Sequence, residues 1–345
     1  MASIKEIAKL AGVSLGTTSF VLNGKGDQMR ISQATQQKIF DVARELGYRP
    51  NISARRLGGG KRDVPVIAIL WALDTRSYLI GRFLEGIQKN LVAKNREFEL
   101  LVQPYENSKI NQVESLMSGT QFNGAIIANA SDRDLEFLES QEINVPIVLY
   151  VRDSSKYSNV NVDNFETGKK VAELFKSRGH QRVDMVVPNI SSQAIRLRKD
   201  GFISGAQTHG LELSPGGLLY DEVSEEGGYN AAKQIIEQGN IPTAMFFPID
   251  TMAVGALAAF HEAGIRIPED LEIIGHDNYD HTRFSIPPLS TVHLPVEEIA
   301  VTCVNTLLDL IERKVEAPVS ISFETSFVFR KSCGGFPTSN STDNQ

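Results

Sequence analysis

Four charged side chains that suit a small polar ligand follow apolar runs in the second half of the chain, and one tyrosine joins them as a candidate. These five residues are Asp250, Asp277, Arg196, Arg198 and Tyr229. A carboxylate accepts and a guanidinium donates two hydrogen bonds in one plane, so these groups suit vicinal hydroxyls, and the tyrosine adds an aromatic face for a sugar ring. Each residue also fits an ordinary role as a helix cap or a surface ion pair. The pattern predicts a site for a polyhydroxylated molecule.

The elements that would position these residues alternate between short apolar runs and helical patterns. Strand-like runs lie at 66–71, 99–102, 124–128, 146–150, 182–187, 244–247 and 271–275. This alternation predicts two doubly wound, parallel α/β lobes, each with its own sheet. In such sheets ligands bind beyond the carboxyl ends of the strands, and two lobes would turn these ends toward a shared cleft.

Other kinds of site are poorly supported. No Gly-x-Gly-x-x-Gly follows the first strand, and no Gly-Lys-Ser/Thr loop is present, which disfavours dinucleotide and P-loop chemistry. Cys303 and Cys333 are far apart and lack neighbours at metal-ligand spacing. His180, His209 and His261 resemble surface histidines rather than parts of a nucleophile–base pair. We therefore predict no cofactor, no metal and no enzymatic activity.

The charge of the chain is distributed unevenly. Residues 1–62 contain eleven Lys or Arg against four acidic residues, a formal charge of +7, whereas the remainder carries −14. A basic head on an acidic body is typical of a module that meets a polyanion. With 345 residues and 41% hydrophobic content, several domains are expected. The sequence shows neither a signal peptide nor a membrane span, so we expect a cytoplasmic protein without membrane association.

Three short helices are predicted in the basic head. Apolar residues at helical spacing over 4–11 predict a first helix that ends at Gly12. A second helix follows over 15–22, and a third begins at the N-cap Ser32 and runs to about residue 47. This arrangement indicates a helix-turn-helix, whose second helix fits the major groove and reads base edges near its start.

Two stretches of the head, and the short segment that follows the head, resemble the sequence of a known family. These are the stretch Ile4-Lys-Glu-Ile-Ala-Lys-Leu-Ala-Gly-Val-Ser14, the stretch Val21-Leu-Asn-Gly24 and the segment that ends Ala54-Arg-Arg-Leu57. They resemble the lactose repressor (LacI/GalR) family, and the resemblance continues to about Arg330. It implies a periplasmic-binding-protein-like body behind an all-α helix-turn-helix head.

In that family the short segment is a hinge helix that pairs with its dimer mate in the minor groove. Leu57 matches the family's leucine, which is pushed between central base pairs, and the bent DNA this produces repays the cost of unstacking. The alternative is that Leu57 is an ordinary linker residue. Residues predicted to contact DNA are Ser14, Leu15, Gly16, Thr17, Ser19, Phe20, Asn23, Arg30, Tyr48, Asn51, Ala54, Arg55 and Leu57.

The chain departs from the family at positions that set specificity. Phe20 stands where many members carry a base-reading arginine, and Gly16 leaves another contact position without a side chain, so the operator stays open. In the body, Asp277, Arg198 and Tyr229 match effector-contacting positions of sugar-responsive members, and Arg152 is a further candidate. A polar asparagine of many sugar-binding members is replaced by isoleucine at position 249.

These observations predict the following domains: 1–49, the DNA-binding head; 50–63, the hinge helix and linker; 64–332, the effector-binding and dimerisation body; and 333–345, a disordered tail. Lobe one is expected at about 64–162 and 293–318, and lobe two at about 163–292 and 319–332. The chain would cross between lobes three times, near 160–164, 288–294 and 318–322.

We predict a homodimeric repressor of carbohydrate-utilisation genes that binds double-stranded operator DNA under the control of a small effector, most simply a sugar. Helices near 81–94 are expected at the dimer interface. One alternative is a repressor that responds to a purine or another metabolite. Another is a sugar-binding transport protein, which the basic head contradicts.

Overall fold

A computed structural model of the protein describes residues 3–22, 26–46, 48, 64–73, 79–94, 96–119, 121–214 and 218–334. The helices are α1 Ile4–Ala11, α2 Leu15–Leu22, α3 Gln33–Glu45, α4 Leu79–Lys94, α5 Glu114–Ser118, α6 Asp132–Ser140, α7 Asn164–Ser177, α8 Gln193–His209, α9 Glu225–Glu237, α10 Asp250–Glu262 and α11 Val296–Ile311. The strands are β1 Val66–Leu73, β2 Glu99–Glu106, β3 Gly124–Ala128, β4 Ile147–Tyr150, β5 Ser158–Val162, β6 Arg182–Pro188, β7 Glu212–Leu213, β8 Leu219–Asp221, β9 Ala244–Phe246, β10 Glu272–Asp277, β11 Ser290–His293, β12 Ser320–Phe323 and β13 Ser326–Val328.

The three helices of the head are confirmed at the predicted positions. At the start of α1, Ser3 and Glu6 form a reciprocal capping box, and Gly12 ends the helix in the left-handed region at a φ of 68°. Ser32 caps α3. A small apolar core built around Ile7 and Ile39 holds the helices together. Predictions for residue 23, for 49–63 and for the tail from 335 onward lie outside the described residues.

Lobe one is a six-stranded parallel sheet in the order β12-β5-β4-β3-β1-β2. Both faces of its central strands are buried, so these strands are continuously apolar instead of alternating. Helices α4 and α11 cover one face, where Phe83 and Leu307 enter the core. Leu116 from α5 and Leu138 from α6 cover the other. This is the doubly wound arrangement predicted from the sequence.

Lobe two contains a sheet in the order β13-β11-β10-β9-β6-β7, with β8 paired to β6. All its pairings are parallel except that of β13, which runs antiparallel to β11. Helices α7 and α8 pack on one face and α9 and α10 on the other. Close packing of α7 on α8 requires glycine, since a Cβ at Gly168 would lie 2.0 Å from the carbonyl oxygen of Arg198.

The chain passes between the lobes three times. It leaves lobe one after β5 and returns to it between β11 and α11. The last strand of lobe one, β12, pairs with β5, so residues 319–323 belong to lobe one and not to lobe two. The third crossing therefore lies at 324–325, between β12 and β13.

Within the described residues, no helix has the length and apolar character needed to cross a bilayer. No group of His, Cys, Asp or Glu side chains in that part of the chain is arranged to hold a metal ion. Cys303 and Cys333 are buried free thiols.

Candidate nucleic-acid interface and ligand cleft

Helix α2 divides sharply into a packed side and an open side. Thr18, Val21 and Leu22 are buried against the rest of the head. Leu15 is 55% exposed and Phe20 is 37% exposed. Gly16 is exposed, and Thr17 and Ser19 are half-buried on the same short helix. The predicted base-reading residues thus lie on a surface that α1 and α3 leave open.

The flanking residues predicted to contact DNA have mixed roles. The Ser14 hydroxyl caps α2 by accepting a hydrogen bond from the backbone N–H of Thr17 at 3.0 Å. Arg30 is exposed and has a positive φ of 54°. Tyr48 packs half-buried against the head core, and this burial raises the pKa of its hydroxyl. The predicted contacts Asn23, Asn51, Ala54, Arg55 and Leu57 lie outside the described residues.

A cleft lies between the two lobes where the carboxyl ends of the two sheets face each other. It encloses about 530 Å³ of space not occupied by atoms, its open mouth included. Its lining residues are Leu79, Asn129, Ala130, Tyr150, Val151, Arg152, Ser192, Gln193, Ala194, Ile195, Arg198, Ile249, Asp277 and Leu294. Three of the six predicted effector-binding residues, Arg152, Arg198 and Asp277, line this cleft.

Arg198 is held rigidly on α8. Its Nε donates to the Asn164 side-chain oxygen at 2.8 Å, and Nη1 donates to the carbonyl oxygen of Pro248 at 2.9 Å. Both partners are in lobe two, and the guanidinium is buried. A charged group fixed in this way is pre-organised for a ligand, because little side-chain freedom remains to be lost on binding.

Asp277 ends β10 and points its carboxylate into buried surroundings. Its φ of 115° lies in a region that favours glycine, and strain of this kind is often found at functional sites. His276 Nδ1 lies 2.9 Å from a carboxylate oxygen of Asp277. Burial and the nearby charge of Arg198 lower the pKa of His276 to about 4, so the imidazole is neutral at pH 7 and its Nδ1–H donates to Asp277.

Asp250, in contrast, is not among the residues that line the cleft. Its carboxylate accepts from the Thr291 hydroxyl at 2.7 Å and from the backbone N–H of Tyr279 at 2.9 Å. Burial, followed by the charge of Asp277, raises the pKa of Asp250 to about 7. Asp250 supports the loop beyond β10 from behind.

Tyr229 has its contacts elsewhere in lobe two. It lies on α9, where its hydroxyl donates to Glu262 of α10 at 2.6 Å and the ammonium of Lys233 lies over its ring. It is not among the cleft-lining residues, so it offers no face to a ligand there.

An ionic cluster spans the mouth of the cleft. Asp132, at the start of α6 in lobe one, pairs with Arg152 of its own lobe at 2.5 Å and with Arg196 of lobe two at 3.1 Å. Burial would raise the pKa of Asp132, but its hydrogen bond to Arg152 and the charges of the two arginines outweigh this and lower it. Arg196 is half-exposed and therefore closes the mouth instead of lining the interior.

A second bridge between the lobes involves Arg82 of α4. Its guanidinium makes a two-bond fork with Glu297, both bonds at 2.8 Å, and donates to the carbonyl oxygens of Asp277 at 2.6 Å and Leu294 at 3.1 Å. A side chain of lobe one is thereby hydrogen-bonded to the backbone of Asp277, a cleft-lining residue of lobe two. No local pattern in the sequence distinguishes Arg82 from other helical arginines, so its role is visible only in the structure.

Sequence reasoning also missed polar residues of the cleft in lobe one. Asn129 directly follows β3, and Tyr150 ends β4. Both satisfy the rule that selected Asp277, since each stands at the carboxyl end of a parallel strand. Applying that rule to both lobes would have found them.

Two family models match this chain. The model for bacterial regulatory proteins of the lacI family matches residues 3–51. A periplasmic binding protein-like domain matches residues 172–333. The first match covers the three-helix head, and the second covers most of lobe two.

Individual proteins match over nearly their whole length. The probable HTH-type transcriptional repressor ExuR of Bacillus subtilis (strain 168) is 30% identical over 335 residues, which span 96% of this chain and 98% of that protein. A LacI family transcription regulator from Clostridium acetobutylicum is 34% identical, with a TM-score of 0.74 over 77% of this chain and 99% of that one. A LacI family transcriptional regulator from Enterococcus faecium, solved with bound ribose, is 26% identical, with a TM-score of 0.65 over 78% of this chain and 98% of that one.

Proposed function

The chain belongs to the lacI family of bacterial regulatory proteins, and from that premise we propose that it is a dimeric repressor controlled by a small molecule bound between its lobes. The observation that carries this proposal is the combination of two surfaces in one chain. Helix α2 presents uncovered side chains for the major groove, and the body presents an interlobe cleft with buried charged residues.

The chemistry of the cleft supports a polar, sugar-sized effector. Arg198 and Asp277 supply fixed donors and acceptors, while Ile195, Ile249 and Leu294 supply apolar surface for the carbon skeleton. The relative from Enterococcus faecium was solved with bound ribose. We infer that the effector binds these residues and that Asp277 accepts hydrogen bonds from its hydroxyl groups.

The exposed apolar surface of the body supports a dimer. Strand β2 is an edge of the lobe-one sheet, and Leu100 and Val102 on it are exposed. On lobe two, Phe284 is 80% and Ile286 is 82% exposed. Exposed strand edges are normally protected and contiguous exposed apolar surface marks interaction sites, so we propose that a second copy of the chain covers these two regions. A dimer would present two reading helices to a palindromic operator.

DNA binding is tested by selecting duplexes from a random library with the full-length protein and measuring their affinity by fluorescence anisotropy. A palindromic site is expected to emerge, with an affinity that falls steeply as salt rises because bound phosphates release counterions. Absence of any sequence preference, over a range of salt concentrations, would overturn the proposed function.

Effector control is tested by a thermal-shift screen of sugars, sugar acids and purines, followed by anisotropy on the selected operator. A compound that stabilises the protein is expected to change operator affinity, and Asp277→Ala is expected to abolish that change. Asp200→Ala removes an exposed carboxylate from α8 and serves as the control. A normal response in Asp277→Ala would exclude the assigned cleft.

A further inference from the structure

Arg152 has unused hydrogen-bonding capacity inside the cleft. It follows β4, is only 4% exposed and lines the cleft. Its Nη2 donates to Asp132, but its Nε and Nη1 have no hydrogen-bond partner among the described residues. Buried donors without partners are costly, and more so when the group is charged, so such groups usually mark a place where something else binds.

The amino-terminus of α8 faces the same space. Ser192, Gln193, Ala194 and Ile195, the cap and first turn of this 17-residue helix, all line the cleft. The first turn contains no acidic residue. Backbone N–H groups at a helix start lack partners within the helix, and the helix dipole favours negative charge there.

Among the residues that the structure describes, the charged groups of the cleft carry an excess of positive charge. The described lining contains two guanidinium groups and one carboxylate, that of Asp277. Asp277 is engaged by His276, and Arg198 is tied to Asn164 and a backbone carbonyl. Asp132 balances part of the charge of Arg152 from the mouth, but it is shared with Arg196. A neutral ligand would leave this excess uncompensated.

We propose that the effector carries an anionic group, a carboxylate or a phosphate ester, that binds between Arg152 and the amino-terminus of α8. This inference rests on the ligand-responsive function proposed above and narrows the class of ligand. The unpartnered Nε and Nη1 lie on different edges of the planar guanidinium, so two acceptors satisfy them, such as an acid oxygen and a neighbouring hydroxyl of one molecule. A polyhydroxylated acid of monosaccharide size meets these requirements.

The test compares matched acids and neutral sugars on the full-length protein. Calorimetric titrations and thermal shifts use galacturonate against galactose, glucuronate against glucose, and glucose 6-phosphate and inorganic phosphate as phosphate probes, all at constant ionic strength. The variants are Arg152→Gln and, as a matched control, Arg133→Gln, which removes an exposed cation from α6 in the same lobe. Melting without ligand verifies that each variant folds.

At least one acid or phosphate is expected to bind saturably and more tightly than its neutral partner. Its Kd is expected to rise at least about tenfold in Arg152→Gln, as loss of a hydrogen bond to a charged group predicts, and to stay unchanged in Arg133→Gln. Preference for the uronates identifies a carboxylate, and preference for the phosphates identifies a phosphate ester.

Three results would overturn the proposal: no binding by any of the anions, equal binding of acid and neutral partner, or undiminished anion binding by Arg152→Gln. These failures differ from failure of the proposed function. If a neutral sugar releases the operator, the chain is still a ligand-controlled repressor and only the proposed anionic class of effector is wrong. If the protein binds no DNA sequence specifically, the proposed function itself is wrong.

Discussion

Replacing Arg82 by methionine tests how the two lobes are held together. The change keeps an unbranched side chain but removes the fork onto Glu297 and the donors to the carbonyl oxygens of Asp277 and Leu294. Arg82 is nearly buried, with a side chain 12% exposed, whereas that of Glu297 is 26% exposed and can be rehydrated. The carbonyl oxygens of Asp277 and Leu294 are therefore the acceptors whose lost hydrogen bonds should cost the most stability.

The magnitude follows from these contacts. A hydrogen bond to a charged group contributes about 1.5–3 kcal/mol and the contributions within one cluster are not additive, so we expect a loss of about 3 kcal/mol in the free energy of unfolding. For a body of this size that corresponds to a fall in Tm of roughly 6–10 °C. Glu297→Gln keeps an acceptor for Arg82 and should cost about 1 kcal/mol.

The assay is thermal and urea unfolding of the full-length protein at several pH values. Burial would raise the pKa of Glu297, but its hydrogen bond to Arg82 and the charge of that residue outweigh this and lower it. A lowered pKa means that the ion pair stabilises the fold fully above the unfolded value of about 4.3 and is lost as pH falls through the folded value. The difference between wild type and Arg82→Met should therefore narrow in acid.

Ligand affinity supplies the second readout. Arg82 holds the backbone of Asp277 in its strained conformation, so Arg82→Met should also weaken any ligand that binds through Asp277, whereas Glu297→Gln should weaken it less. A Tm within 2 °C of wild type, together with unchanged ligand affinity, would refute the role assigned to this residue.

Two further predictions concern the head and the support of the cleft. Phe20→Ala should weaken binding to the selected operator about tenfold, with little loss of affinity for a scrambled duplex, because an exposed side chain of the reading helix contributes base contact and little packing. Phe40→Ala, which removes an equally exposed side chain from α3, is the control. If anisotropy shows that Phe20→Ala loses equal affinity for both duplexes, Phe20 does not read bases. Because burial and the charge of Asp277 raise the pKa of Asp250 to about 7, against about 3.9 in the unfolded chain, the native state loses stability as pH rises between these two values and not above them. Asp250→Asn should therefore flatten the fall of Tm between about pH 4 and about pH 7. If Tm falls with rising pH in parallel for Asp250→Asn and wild type, the titration of Asp250 does not cause this fall.

The head was predictable because its signals are local. Cap residues, a turn glycine and apolar spacing act within one or two helical turns, so Gly12 and Ser32 mark helix boundaries without knowledge of the remainder of the fold. The alternation of strands and helices likewise predicted two doubly wound lobes. The lobe that a late strand joins depends on long-range pairing, and nothing in the run 320–323 indicates that β5 is its partner.

The cleft was only partly predictable, because position after a strand locates a Cα atom but does not determine where the side chain points. Asp277 and Asp250 both follow apolar runs, yet only the first carboxylate reaches the cleft. The second carboxylate folds back over β10, where Gly275 leaves the space: a Cβ there would lie 2.1 Å from the Asp250 oxygen. The orientation of the Asp250 side chain therefore depends on Gly275, 25 residues away, which has no side chain, and on the Thr291 hydroxyl, which donates a hydrogen bond to the carboxylate. The orientation of Asp250 thus depends on three residues that meet only in the folded protein. No periodic pattern in a single sequence reveals such tertiary packing.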